Sequence, residues 1–333
     1  MVSFTLRFPT EEEDELVRRF AGNRNYLHAL ASFVGNEYGK REELYHGLKT
    51  TLEATPKYQK INRADVPLTD VRRFLTLGWS SEIQLHLPAI LGQPGMLAFA
   101  NTWAPVHAYY AVYGALQAWF ATNGMSGLAN DHTATLRTIA NQIKDRDLLP
   151  EPWNLLAVGC PMRDEKIHLN DRGVDCVSHV EVLSTPIPLG VDNTFWPRIG
   201  TWLRSTREAR LTSRETQWKK QNGKARISPA ERTKFAASLA PTSLFDCLWR
   251  LRIKSNYGSV DPYLVTFISD TDHLVFNRSL NTFVRASLSI LELLTLRRIG
   301  AQRFADIASD FVSQDTHGLS DRLLTARLSA YGL

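Results

Sequence analysis

The stretch from Ile83 to Asn130 contains no Asp, Glu, Lys or Arg, and no other feature of the chain constrains its fold more strongly. Histidine, proline, glycine and amide side chains interrupt it, so no run of about 18 consecutive apolar residues survives. We therefore expect a core segment that other elements surround, and not a helix that crosses a membrane. The first residues lack a basic start followed by a long apolar run, so no signal peptide is expected; alternating apolar residues at 2–8 predict a short strand.

The strongest helical pattern lies inside this uncharged stretch, over residues 103–124. Small residues there are spaced four, three, four and three, which places them on one seam and allows a neighbouring helix to approach closely. They are Ala104, Ala108, Ala111, Ala115 and Ala118. Gly124 is predicted to end this helix, and Asp131 to cap a following helix that runs to about Lys144.

Helical spacing covers most of the remaining chain. Thr10 with four acidic residues after it predicts a helix start, and the periodicity extends to about Leu52. Residues 55–70 are predicted to be a connector, and residues 92–95 a break. Further helices are predicted from Ser228, over 242–257 and over 274–299, with one or two amphipathic helices closing the chain. This pattern predicts the all-α class.

Residues 150–197 have a different character, because prolines cluster there and residues 174–183 read as extended. Both a small strand-containing insertion and an irregular excursion fit this pattern. The chain has three cysteines without a CxxC pair, which indicates neither a zinc ribbon nor a disulfide framework and favours a cytoplasmic location. The spacing of Cys160 and Cys176 to His168 and His179 matches no standard metal site, so neither a metal nor another cofactor is expected.

Positive charge concentrates in one segment. The net charge of the chain is +5, whereas residues 198–234 hold eleven Lys or Arg against three Asp or Glu, or +8, so the remainder is slightly acidic. Residues 198–220 combine a basic helical face with Trp202 and Trp218, a combination that suits phosphate contacts and base stacking. The candidate nucleic-acid-binding residues are Arg204, Arg207, Arg210, Arg214, Lys219 and Lys220. A surface helix with its tryptophans in the core, and docking to an acidic partner protein, remain open.

Two motifs resemble the small prokaryotic branch of the HEPN superfamily. The first is Ala-Tyr-Tyr-Ala at residues 108–111, followed by Gly124 and by His132 at the start of the next helix. The second is LWRLRIKSNYGSVDPY at residues 248–263. The resemblance implies an up-and-down helical bundle split into residues 96–150 and 241–333. A helical extension would occupy residues 1–95, and a small mixed insertion with the basic helix residues 151–240.

The resemblance also implies a function: engagement of RNA or another nucleic acid in a prokaryotic defence or toxin–antitoxin system, often as a homodimer. An Arg would hold the phosphate and a His would transfer protons, giving a metal-independent endoribonuclease. The residues proposed for this role are His107, Tyr110, His132, Arg252, Asn256 and Tyr257, and Arg250 and Lys254 join the nucleic-acid-binding set. Helical spacing puts Arg250 and Lys254 together and turns Arg252 elsewhere. Each set can equally serve packing or a solvated surface.

The Arg–His spacing of the family's nucleases occurs at Arg41–His46, Arg163–His168 and Arg172–His179, but chance alone gives about two such spacings in this composition. None lies on the helix after residue 241, where the family's motif belongs. No phosphate-binding loop, dinucleotide fingerprint, nucleophile elbow or HExxH motif is present. The alternatives are a non-catalytic adaptor in a multi-protein defence complex and a nucleotide-binding regulator.

Overall fold

The computed structural model describes residues 10–40, 42–91, 96–125, 131–146, 148–159, 167–169, 172–174, 195–257, 268–315 and 318–333. Helices make up most of this part of the chain, which confirms the all-α class. The strand predicted at residues 2–8, the break at 92–95 and the extended residues 175–183 lie outside the described residues. None of the helices described is both long and apolar enough to cross a membrane.

The helices are α1 Glu11–Glu37, α2 Glu42–Ala54, α3 Pro56–Gln59, α4 Leu68–Leu91, α5 Met96–Ala121, α6 His132–Arg146, α7 Phe195–Asn222, α8 Pro229–Ser238, α9 Leu244–Tyr257, α10 Asp270–Ile299, α11 Ala301–Ser313 and α12 Leu319–Tyr331. The strands are β1 Leu156–Val158, β2 Ile167–Leu169, β3 Arg172–Val174 and β4 Thr242–Ser243. They form one antiparallel sheet in the order β3-β2-β1-β4. Ala157 on β1 pairs with Leu169 on one side and with Thr242 on the other.

Helix boundaries follow the capping signals. Thr10 and Ser228 both form complete capping boxes, the first with Glu13 and the second with Glu231, as their spacing predicted. Helical structure reaches Leu52 as predicted, but in two helices, because α1 ends at Glu37 and α2 begins at Glu42. Gly39 lies between them with φ of +89°, a conformation that side-chain-bearing residues rarely adopt and that a helix cannot continue through.

The close approach predicted from the alanine seam of α5 is present, and α4 is the helix that approaches. A Cβ atom built on Gly114 of α5 would lie 2.6 Å from the backbone nitrogen of Gly78 on α4. A Cβ atom on Gly78 would lie 2.9 Å from the carbonyl oxygen of Ala111. The two backbones can therefore touch only where both helices lack a side chain.

The main core joins helices from all four segments predicted from the resemblance. Helix α5 packs against α4, α9 and α10, while α1 packs against α10 and α7. Buried residues of α1 and α2, such as Leu30 and Leu48, belong to the same apolar cluster as Phe120 of α5 and Phe283 of α10. The N-terminal helices are thus part of the core that supports the sites described below.

A buried ionic network fixes α12 against α4 and α10. The Arg327 guanidinium donates to both carboxylate oxygens of Glu82, at 2.5 and 2.8 Å, and to Glu292 at 3.0 Å. Tyr331 and Trp79 donate to Glu292, each at 2.7 Å. Moving one of these helices would leave a buried charge or hydrogen-bond donor without its partner. The network therefore specifies how the three helices pack.

Candidate functional site

Three helices bring an arginine, a histidine and three tyrosines together. The hydroxyl of Tyr109 on α5 lies 2.8 Å from Nδ1 of His132 on α6, and Nη2 of Arg252 on α9 donates to the hydroxyl of Tyr110 at 2.9 Å. Tyr113, one turn after Tyr109, completes the group, because its ring centroid lies 4.6 Å from that of His132. We call these five residues the tyrosine–histidine cluster.

Local structure sets the position of each member of the cluster. His132 is the first residue of α6, directly after Asp131, whose carboxylate accepts from the backbone N–H of Ala134 at 2.9 Å. The imidazole lies against the tyrosine face of α5. The guanidinium carbon of Arg252 lies 5.4 Å from the ring centroid of Tyr110 and 5.9 Å from that of Tyr109, within cation–π range.

The surroundings set the protonation states of the cluster. Burial lowers the pKa of His132 below 6.5 and the Arg252 cation lowers it further, while Asp131 opposes both. Burial also raises the pKa of Tyr109 and that of Tyr113. At neutral pH the neutral imidazole of His132 and the protonated phenols of Tyr109 and Tyr113 therefore lie beside the guanidinium of Arg252.

Only part of the cluster is accessible. Tyr110 and His132 are half-buried, whereas Tyr109 and Tyr113 are buried and Arg252 is 8% exposed. A ligand that approaches from solvent would meet Tyr110 and His132 first. The guanidinium of Arg252 would act on it mainly through its charge.

The structure brings together Tyr110, His132 and Arg252 of the sequence-predicted set. Asn256 follows Arg252 by one helical turn and is half-buried, and Tyr257 is the last residue of α9, with a side chain outside the described part. His107 precedes Tyr110 by one turn, and burial lowers its pKa. No hydrogen bond among the described residues joins His107 to the cluster.

Sequence reasoning did not single out Tyr109 and Tyr113. Their signal was the four-residue spacing, which places both rings on one face of α5 together with the end of α6. The two rings stack at a centroid distance of 5.4 Å and an interplanar angle of 28°. They form the buried floor beneath His132.

Two residues of the predicted nucleic-acid-binding set are structural instead. Arg207 is 2% exposed, and its guanidinium donates to the carbonyl oxygens of Gly159, Ala236 and Ala240 at 2.6, 3.0 and 3.1 Å. Arg210 pairs with the buried carboxylate of Asp246 at 3.0 Å. The prediction that these two arginines contact nucleic acid is corrected, because their guanidinium groups bind backbone carbonyls and a buried carboxylate inside the protein.

The basic surface that remains on α7 is smaller than the sequence predicted. Arg214 and Lys220 are exposed, and Arg204 and Lys219 are half-buried. Trp202 is 3% exposed and stacks on Tyr26 at a centroid distance of 5.8 Å, so it is not accessible for stacking on a base. Trp218 contacts Phe235 of α8.

Arg250 and Lys254 lie on the side of α9 away from the cluster, as their spacing predicted. Arg250 donates to the hydroxyl of Ser205 on α7 at 2.8 Å. Both residues line a small cavity between α1, α7 and α9. Helix α9 therefore separates two groups of polar side chains.

The remaining sequence candidates do not form a described site. His46 is exposed on α2, but its partner Arg41 lies outside the described residues, as do Arg163, His179, Cys160 and Cys176. His168 is on β2 and Arg172 on β3. In the described ranges, no three His, Cys, Asp or Glu side chains lie close enough to hold a metal ion.

Comparisons with known proteins do not assign a function to this chain, so the assignment depends on the geometry of the site. No protein-family model, no curated protein and no solved structure matches this chain.

Proposed function

We propose that this chain is a HEPN-like RNA-engaging protein of a prokaryotic defence or toxin–antitoxin system, and that the tyrosine–histidine cluster is a metal-independent endoribonuclease site. One observation carries the proposal. His132 is hydrogen-bonded to Tyr109 at 2.8 Å beside the guanidinium of Arg252, so a group that can exchange a proton is held next to a fixed cation. Residues far apart in the sequence form this combination.

The chemistry needs both groups. The 2′-hydroxyl of a ribose attacks the adjacent phosphorus, the bond from phosphorus to the 5′-oxygen breaks, and the products end in a 2′,3′-cyclic phosphate and a 5′-hydroxyl. One proton leaves the 2′-oxygen and another reaches the 5′-oxygen, which is the work of general acid–base catalysis. The negative charge that develops on the phosphate oxygens is stabilised by a cation such as Arg252.

His132 suits the proton transfers. Its lowered pKa keeps the imidazole neutral at neutral pH, as a general base requires. The Tyr109 hydroxyl can donate to Nδ1 or accept from it, so the ring can carry its proton on either nitrogen. Because Tyr109 occupies Nδ1, Nε2 is the nitrogen left to meet a substrate.

RNA cleavage in EDTA tests this proposal. A single-stranded RNA is incubated with the full chain, and the 2′,3′-cyclic phosphate ends are measured. We expect His132→Asn and Arg252→Gln each to lower the rate by about 100-fold or more. His46→Asn, which alters an exposed histidine of α2, is the matched control and should keep the wild-type rate. An inactive wild type, or activity that survives His132→Asn, would overturn the nuclease proposal.

A non-catalytic adaptor is the second candidate, and the outer stripe of α5 favours it. Phe99 and Trp103 are one turn apart and are 72% and 57% exposed, which is unusual for large apolar side chains. An adaptor predicts no cleavage and no salt-sensitive RNA binding. It also predicts that a complex recovered from the native locus loses a subunit in Trp103→Ser; a complex of unchanged mass would count against it.

A further inference from the structure

A small cavity lies on the side of α9 opposite Arg252, bounded by α1, α7 and α9. Its volume is about 150 Å³, enough for several water molecules or one phosphate-sized anion. The polar lining residues are Arg19, Asn23 and Tyr26 from α1, Thr201 and Ser205 from α7, and Arg250 and Lys254 from α9. We call this feature the cationic cavity.

The charges that line the cationic cavity are unbalanced, although Glu208 on α7, outside the lining, interacts electrostatically with Arg250. Three of its lining residues are cations and no described lining residue is acidic. Arg19 pairs with Glu15 at 2.9 Å, but that carboxylate is 54% exposed and lies outside the lining. Arg250 donates only to the neutral hydroxyls of Ser205 and Thr206, at 2.8 and 3.3 Å, among the described residues.

The imbalance disfavours the charged form of Lys254. Burial lowers its pKa, and Arg250 and Arg19 lower it further, to about 8. Keeping the charges of Arg250 and Lys254 together out of water disfavours the folded state unless an anion joins them. An anionic ligand that neutralises these positive charges would explain why they lie together.

Arg198 on α7, close to the cationic cavity, is an independent observation. Its Nε and Nη1 atoms are buried and have no hydrogen-bond partner among the described residues. It lies one turn before Thr201 and two turns before Ser205 on the face of α7 that lines the cavity, and it interacts electrostatically with Tyr26. Arg198 as a whole is half-buried, but two of its guanidinium nitrogens are shielded from water without a partner, so an acceptor at this edge of the cavity would be favourable.

We propose that the cationic cavity binds a phosphate monoester, carried either by a free nucleotide or by the end of an RNA strand. Two guanidinium groups and one ammonium match the charge and the oxygen acceptors of a phosphate, and the Asn23 amide supplies a further donor. The volume of about 150 Å³ is sufficient for one phosphate group.

The rest of the ligand has a place to lie. An open groove of about 860 Å³ adjoins the cavity, and the two share Ser205 and Arg250. The hydroxyls of Thr212, Ser213 and Thr216 line this groove along α7. They are suited to hydrogen bonds with a ribose. The inference does not depend on the proposed nuclease activity, because it concerns binding alone.

Calorimetry with the full chain in EDTA, at constant ionic strength, tests the proposal. The probes are inorganic phosphate, AMP, adenosine, and a five-nucleotide RNA with either a 5′-phosphate or a 5′-hydroxyl. We expect AMP to bind with one site per chain and adenosine not to bind. If the phosphorylated RNA binds at least tenfold more tightly than AMP, the ligand is a strand end; equal affinities identify a free nucleotide. Adenosine binding as well as AMP would overturn the proposal.

Two variants tie the binding to the cavity. Lys254→Gln should weaken AMP binding about tenfold or more, and Arg19→Gln about threefold. Arg18→Gln is the matched control, because Arg18 also pairs with an acidic residue four positions earlier, Asp14, but does not line the cavity. Equal losses in Arg18→Gln and Arg19→Gln would overturn the proposal. Should Lys254→Gln not fold, the exposed pair at positions 18 and 19 still decides the question.

Discussion

Arg250 and Arg252 lie two positions apart on α9, and their guanidinium groups bind neighbours on different sides of the helix. Arg250 donates to Ser205 of α7 at 2.8 Å, whereas Arg252 donates to Tyr110 of α5 at 2.9 Å. Two positions on a helix are separated by about 200° of rotation. Helix α9 is thus the wall between the tyrosine–histidine cluster and the cationic cavity, and each side can be altered separately.

The first prediction concerns the pKa of His132. In the wild type it lies below 6.5 because of burial and of the nearby Arg252 cation. Arg252→Gln removes the cation but not the burial, so we expect the pKa of His132 to rise part of the way towards 6.5. Titration of the His132 ring protons by NMR measures it.

Arg250→Gln is the control for that measurement. It removes the same charge two positions away, on the other side of α9, and should leave the His132 titration unchanged. A similar rise in both variants would show that the long-range charge of α9, and not the contact of Arg252 with the cluster, sets this pKa.

The second prediction separates structural from exposed arginines on α7. Arg207→Met leaves the carbonyl oxygens of Gly159, Ala236 and Ala240 without their donor, so we expect a loss of about 3 kcal/mol in the free energy of unfolding. Arg214→Met changes an exposed side chain of the same helix and should cost less than about 0.5 kcal/mol. Urea unfolding of both variants measures the difference; equal midpoints would contradict the structural role of Arg207.

Local sequence patterns were sufficient to predict the helices, but not which side chains from different helices and strands meet. Spacing correctly put Arg207 and Arg214 on one helix. It could not show that Arg207 binds Thr242 of β4, because β4 is placed by pairing with β1, which is far away in the sequence. For the same reason the spacing separated Arg250 from Arg252 but did not show that Arg252 meets Tyr110. The contact of Tyr109 with His132 likewise depends on how α5 and α6 pack, which no local pattern encodes.

The third prediction tests the contact between α4 and α5. Gly114→Ala would place a Cβ atom 2.6 Å from the Gly78 nitrogen and 2.7 Å from the Phe74 carbonyl oxygen. Both are backbone atoms, so the helices must separate, and we expect the unfolding free energy to fall by about 2 kcal/mol despite the higher helix propensity of alanine.

Gly35→Ala gives that measurement a control of opposite sign. At Gly35, which lies near the end of α1, the nearest atoms to an added Cβ belong to the Lys40 side chain at 3.6 Å. Alanine fits there, and we expect a gain of about 0.5 kcal/mol. Losses of equal size at both positions in thermal or urea unfolding would mean that crowding against α4 is not the cause.

The last prediction is a pH dependence of stability that comes from His86 on α4. Burial, with the cations Arg285 and Arg327 nearby, lowers the pKa of His86 from 6.5 to about 3. Between these two values the unfolded chain binds a proton at this residue and the folded chain does not, so stability must fall as the pH drops below 6.5, by up to about 1.4 kcal/mol per pH unit. His86→Leu removes the titrating group and should reduce that slope. Urea unfolding of both proteins at pH 8, where His86 is neutral in either state, gives the baseline. As the pH is lowered to 5, the free energy of unfolding of His86→Leu should rise relative to that of the wild type. If the difference between the two proteins is the same at both pH values, His86 is not buried as a neutral side chain.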